Sequence, residues 1–319
     1  MHSNSMIELR PLRQFVAVAE ELHFGRAAKR LAMTQPPLTQ AVQALERNLE
    51  VMLFERTRRT VALTPAGHAL LDQARRLLRS AEALPMAVRA AALGQTGRLR
   101  LAFVSSIAYG ALPLWLRAFR EACPGVQLQL REATLDVQLA AFAADEIDAG
   151  FVLHAPGAVP AGFAALRVLS EPMWLALPEG HAASARKTLH GRDLADAPLL
   201  IFPRAVTPSL YDAILSAQRA LGLTPQVAQE AIQMQTLVSL VSAGIGVAWV
   251  PETVTHLQRP GVVYRRMAGE PLLAETSLIW REPPAPVVQR FVEQVEVQLG
   301  APPGARTSLR VQRRQSRPA

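Results

Sequence analysis

The chain has one cysteine in 319 residues, Cys123, which excludes an internal disulfide and suits a reducing compartment. Lysine occurs only at Lys29 and Lys187, and neither sits in a phosphate-binding loop. No Gly-x-Ser-x-Gly and no His-x-x-x-His occurs, and the seven histidines are scattered. Gly244-Ile245-Gly246 is a lone Gly-x-Gly that follows a helical pattern and precedes a strand-like one, the wrong order for a dinucleotide loop. These absences argue against an enzyme, and neither a cofactor nor a metal is expected. The start, "MHSNSMIELRPLRQF", lacks the apolar core of a signal peptide. The longest uncharged run, Ala231 to Pro251, carries Gln233, Gln235, Thr236, Ser239, Ser242 and two glycines. It reads as a helix and a buried strand rather than a membrane span. A cytoplasmic protein with no membrane partner is the expectation.

Half of the residues are hydrophobic, enough for two or three domains with cores of their own. The formal charge is +8, unevenly spread. Residues 1–65 hold 9 Lys/Arg against 6 Asp/Glu, residues 66–97 hold 4 against 2, residues 98–300 hold 16 against 18, and residues 301–319 hold 5 against none. Basic ends on a slightly acidic body favour a nucleic-acid-binding end over a generally basic surface.

In "MTQPPLTQAVQALERNL" the apolar residues Leu38, Val42, Leu45 and Leu49 form one helical stripe, while Thr39, Gln40, Gln43 and Arg47 face the other way. With Thr34 as N-cap, Gln35, Pro36 and Pro37 fill the first turn, where proline forfeits no intrahelical bond. The N–H groups that a capping hydroxyl usually binds belong here to prolines, so Thr34 is left free for a partner outside the protein. Upstream, Leu9 to Leu22 and "FGRAAKRLA" read as two short helices, and the three together form a helix-turn-helix. "LFERTRRTVALT" follows as a basic hairpin around Arg58 and Arg59.

Thr64 caps the next helix, with Pro65 at its first position. Leu70, Ala74, Leu77, Ala81, Leu84, Val88 and Ala91 step 4-3-4-3-4-3, a heptad seam expected to hold a dimer, with Pro85 expected to kink or break the helix. Beyond "GQTG", strand-like runs such as "RLRLAFV", "VQLQLREA", "IDAGFV", "MWLALP", "PLLIFP" and "GVAWVP" alternate with helical ones. This predicts βαβ units, a largely parallel sheet and, over about 200 residues, two lobes with a cleft. The Pro-, Arg- and Ser-rich tail from residue 301 is expected to be disordered.

The stretch "LRQFVAVAEELHFGRAAKRLAMTQPPLTQAVQALERNLEVMLFERTRRTVALTPAGHALL" strongly resembles the LysR-type transcriptional regulators. The likeness continues in "FREACPGVQLQLREAT", "IDAGF" and "LVSAGIGVAWVP", and so covers residues 6 to about 300. Within the family, "FVSSIAYGALP" and "LREATLDVQ" are most similar to the branch regulating benzoate and catechol breakdown. The resemblance implies an α+β multidomain chain. A winged helix-turn-helix occupies residues 1–65, and a linker and dimerisation helix residues 66–97. A two-lobed α/β effector-binding domain like the periplasmic binding proteins takes residues 98–300, with lobe 1 about 98–168 and 272–300 and lobe 2 about 169–271. It implies promoter DNA, a small carboxylate effector (an aromatic acid or muconate-like), a dimer or tetramer, and RNA polymerase as partners.

For the sites, the resemblance makes the helix from Gln35 the recognition helix. Thr34, Gln35, Pro36, Pro37, Thr39, Gln40 and Gln43 then face the major groove, where Gln can bond an adenine edge in two places and Thr or Pro can touch a thymine methyl. Arg58 and Arg59 suit phosphates or the adjacent minor groove. The family commonly has Arg where Gln40 stands, which leaves the base preference there open. Ser105 and Ser106, between a strand end and a helix start, are the expected carboxylate site. Thr134, Phe202, Pro203 and Arg204 complete the effector set, with Arg204 as a counter-charge. Leu135 stands where relatives often have Thr, and Leu153 where many have Arg. A transport-type solute-binding protein is the alternative; it fits the second region but not the first third.

Overall fold

The computed structural model describes residues 7–56, 60–195 and 197–300. The chain forms two compact units, Met1–Arg89 and Ala90–Ala319. In the first, three helices, α1 (Leu9–Glu21), α2 (Phe24–Arg30) and α3 (Gln35–Leu49), precede a hairpin of β1 (Phe54–Arg56) and β2 (Val61–Leu63) and the helix α4 (Pro65–Ala92). The apolar stripe of α3 is buried as its spacing predicts: Leu38, Val42 and Leu45 join Leu12, Phe15, Val18, Ala27 and Phe54 in one core. Ala32 takes φ 50° in the α2–α3 turn. Glu20 on α1 accepts a 2.8 Å hydrogen bond from Arg75 on α4 and pairs at 2.8 Å with Arg30 on α2. The bond from Arg75 is the chief reason that its carboxyl is held below the usual glutamate range.

Thr64 caps α4 as expected: its Oγ1 accepts the Gly67 N–H at 3.0 Å and donates to the Met52 carbonyl at 2.8 Å. Gly67 lets the helix approach the loop before β1, since a Cβ there would lie 2.2 Å from the Leu53 carbonyl oxygen. Leu71, Ala74 and Leu78 pack on the helix-turn-helix, so Ala74 is spent on this core rather than on the expected seam. Leu77, Leu84 and Val88 are 52%, 61% and 60% exposed, and Leu70 is half-buried. Pro85 does not break the helix, which continues to Ala92. All residues from Glu82 to Arg89 are exposed, so water can hydrate the carbonyl that Pro85 leaves unpaired.

In the second unit the chain order is β3 (Thr96–Phe103), α5 (Ser105–Ala108), α6 (Leu112–Ala122), β4 (Gly125–Glu132), α7 (Leu135–Ala143), β5 (Ala149–His154), β6 (Ala164–Pro178), β7 (Thr188–Leu189), β8 (Leu199–Ile201), α8 (Pro208–Ala220), β9 (Val227–Glu230), α9 (Met234–Ser242), β10 (Val247–Pro251), β11 (Val262–Met267), β12 (Leu273–Trp280) and α10 (Pro286–Gln298). The strands align as β4-β3-β5-β12-β6-β10-β8-β9, with β11 branching from β6 and β7 pairing with β11. The largely parallel sheet needs correction. Parallel pairing holds for β4-β3-β5 and for β10-β8-β9, but β12 runs antiparallel to β5 and β6, and β6 antiparallel to β10 and β11.

This pairing makes two lobes. Strand β6 pairs with β12 from Ala164 to Pro172, then with β10 from Met173. The chain returns at Leu272–Leu273, where the Met173 N–H donates to the Leu272 carbonyl at 2.7 Å. One lobe is built on Leu99, Leu101, Trp115, Phe119, Phe151 and Phe291, the other on Leu175, Leu177, Leu200, Ile214, Leu237 and Val250.

Candidate nucleic-acid interface and effector cleft

Thr34 is the N-cap of α3, with extended backbone and no capping bond from its hydroxyl, as two prolines behind it dictate. Thr34, Gln35, Pro36, Pro37, Gln40 and Gln43 are all exposed. Half-buried Thr39 donates its hydroxyl to the Gln35 carbonyl at 3.1 Å, which leaves its methyl as the outward feature. The face is thus a row of amides and small apolar groups, suited to reading base edges rather than to core packing. Arg58 and Arg59 lie outside the described residues.

One residue behind this face was missed by pattern reading. Glu46 sits on α3, 5% exposed. One carboxylate oxygen accepts the N–H groups of Leu53 (2.9 Å) and Phe54 (3.2 Å), and the other accepts from Arg56 at 2.8 Å. The Arg56 guanidinium lies 4.8 Å from the Phe24 ring centroid. Glu46 therefore fixes the first strand of the hairpin to the recognition-type helix. The only sequence signal was an acid one step from the apolar stripe with an arginine ten residues on.

In the second unit a cleft of about 420 Å³, counted to its open mouth, lies between the two lobes. Four helices begin at its wall: α5 at Ser105, α7 behind Thr134, α8 behind Thr207 and α9 behind Gln233. First-turn N–H groups have no intrahelical partner, so such a wall is electropositive without any cation. None of the lining residues is charged. Val104, Leu135, Leu153, Phe202, Val206, Ile232 and Met234 supply an apolar surface.

The Ser106 Oγ is buried and has no hydrogen-bond partner, and the cap of α5 is Val104, so Ser106 is not an ordinary helix cap. The two threonine hydroxyls of the wall are engaged. Thr134 donates to the Asp136 carboxylate, and Thr207 donates to the Leu153 carbonyl of the opposite lobe at 3.0 Å.

Residues 9–68 match the family model for bacterial regulatory helix-turn-helix proteins of the lysR family, and residues 92–299 match the LysR substrate binding domain. The chain belongs to the LysR family. This LysR-family chain is 45% identical over 298 residues to the HTH-type transcriptional regulator IlvR of Caulobacter vibrioides, covering 93% of this chain and 100% of that one. It is 37% identical to AlsR of Bacillus subtilis, over 90% of this chain and 94% of AlsR. The crystal structure of full-length CbnR with its target DNA matches with a TM-score of 0.79 at 34% identity, over 92% of this chain and 100% of that one.

The LysR-family cleft gathers four of the expected effector residues, Ser105, Ser106, Thr134 and Phe202. It does not gather the other two: Pro203 and Arg204 are absent from its wall. The guanidinium of Arg204 is held by Asp212 in two bonds of 2.8 and 2.7 Å, which raises its own pKa and lowers that of Asp212. It offers no counter-charge to the cleft. Val206, Thr207, Ile232, Gln233 and Met234 line it instead. Only the position of these residues before two helix starts could have marked them in the sequence.

Proposed function

We propose that this LysR-type transcriptional regulator reads promoter DNA with Thr34 to Gln43 in the major groove and is switched by a small organic carboxylate held between its lobes at Ser105 and Ser106. The apolar walls suit an aliphatic or aromatic body, in keeping with control of genes for breaking down such acids. The observation that carries the effector half is the buried, partnerless Ser106 Oγ in an uncharged, electropositive cleft. The exposed amide row on α3, in a family with a DNA complex of CbnR, supports the DNA half.

The working form is a cytoplasmic dimer, or a tetramer built as a dimer of dimers, joined through Leu70, Leu77 and Leu84 of α4, and RNA polymerase is its downstream partner. No helix among the described residues is long and apolar enough to cross a membrane. An effector shifts the lobes only by its differential affinity for their two arrangements. The test combines footprinting of the upstream intergenic region with calorimetry of a carboxylate series on one preparation. Ser106→Ala should raise the dissociation constant and abolish induction, with effector-free footprints intact. An unchanged dissociation constant returns Ser106 to a packing role.

A further inference from the structure

The donors that the cleft has already spent say which acids it can take. Two carboxylates need two sets of donors; of the four hydroxyls that line the cleft only those of Ser105 and Ser106 are uncommitted, and the remaining polar side chain, Gln233, offers a neutral amide. At the first place, the Ser106 Oγ is buried and uncommitted beside the half-buried Ser105. At the second, the start of α7, the Thr134 hydroxyl already donates to Asp136. That carboxylate stands in the first turn of the nine-residue helix, where it satisfies the helix dipole from within and repels a second anion. Across the cleft the Thr207 hydroxyl is committed to the Leu153 carbonyl. Leu135 and Leu153 place hydrocarbon beside both of these groups. Among the lining residues no Lys, Arg or His supplies a counter-charge, and Arg204 is neutralised outside by Asp212. No Asp or Glu lines the cleft either, so an ammonium group would find no ionic partner there.

We infer that this cleft selects monocarboxylates with an apolar body and rejects dicarboxylates of the same skeleton. The inference rests on the carboxylate reading of Ser106 given above, and it removes muconate-like diacids from the candidate effectors while keeping aromatic monoacids. Asp136 is then a specificity-determining residue: through Thr134 it closes the second anion place.

The experiment uses the full chain and two matched pairs, sorbate against trans,trans-muconate and hexanoate against adipate, by calorimetry at constant ionic strength. Each pair differs by one carboxylate replacing a methyl. The monoacid should bind roughly tenfold tighter or more, because a carboxylate left without charge-assisted bonds in an apolar site costs at least that much. Exposed Asp136→Ala releases the Thr134 hydroxyl and removes the repelling charge, so it should narrow the gap in each pair while leaving monoacid affinity nearly unchanged.

Diacids that bind as tightly as their monoacids, with both lost in Ser106→Ala, overturn the inference and leave the Ser106 site standing. Monoacid binding that survives Ser106→Ala undamaged overturns the site and the inference together. A gap that Asp136→Ala does not narrow overturns the assignment of Asp136. Absence of binding by all four acids at millimolar concentration overturns the claim that a simple apolar monoacid suffices.

Discussion

Replacing Glu46 by alanine should loosen the hairpin without touching the DNA-facing row. The carboxylate serves three donors, the N–H groups of Leu53 and Phe54 and the Arg56 guanidinium. Removing one partner of a buried charged pair costs about 3–5 kcal/mol. The Arg56 side chain is 25% exposed, so water recovers part of that, and ~3 kcal/mol is the working figure. At 1.4 kcal/mol per factor of ten, this is more than about a hundredfold in a local opening equilibrium.

The assay must see the first unit. All four tryptophans (Trp115, Trp174, Trp249, Trp280) and all three tyrosines lie in the second, so intrinsic fluorescence does not report on the hairpin. Hydrogen–deuterium exchange of a peptide spanning residues 49–56 does. Glu46→Ala should speed exchange there by about two orders of magnitude, with the tryptophan melt unchanged. Glu46→Gln keeps one acceptor oxygen for Leu53 and Phe54 but sets an amide against Arg56, and should cost about half as much. Both variants should weaken binding to specific and random DNA alike, because a misplaced hairpin loses phosphate contacts. Exchange in Glu46→Ala within roughly a factor of three of the parent, or ~0.6 kcal/mol, refutes the latch.

Gln35→Ala should weaken operator binding by roughly 1–3 kcal/mol and barely alter binding to random duplex, read by competition gel shift; equal losses on both would show that Gln35 does not read bases. Leu77→Asp puts a charge on the exposed seam of α4 and should give monomers or aggregates by light scattering, whereas an unchanged oligomer would clear this helix of the role. Glu20 has a folded pKa below its unfolded value of about 4.3, so its stabilisation is fully present above that value and fades as pH falls through the lower folded one. Glu20→Gln should flatten the acid limb of the first unit's exchange profile, and an acid limb identical to the parent's would deny the contribution.

Much of the first unit was legible because its signals are local. The α3 stripe, the proline-headed turn and the Thr64 cap each fall within a few residues of chain. Glu46 was not, because its partners lie seven to ten residues on, across a turn. In the second unit β12 and the first half of β6 escaped notice. Both lie centrally in the sheet, and β12 is almost wholly buried, so its inner and outer positions do not alternate. Their antiparallel pairing overturns the expectation of a largely parallel sheet. The place of Ser106 in the cleft wall was legible by family likeness, but the commitments of Thr134, Thr207 and Arg204 depend on partners that only the fold brings near.

Strand β6 has a mechanical consequence. The polypeptide passes between the lobes twice, at Pro172–Met173 and at Leu272–Leu273, and the two passes are bonded neighbours. Such a pair behaves as an axle. Twisting about it disturbs few ladder bonds, and Pro172, which has no N–H to give, already spares one there. Sliding one lobe along the other would instead pull apart the Met173–Leu272 bond that ties the two passes together. Jaw-like rotation is therefore the soft coordinate of the second unit, and any ligand between the jaws has leverage on that single angle.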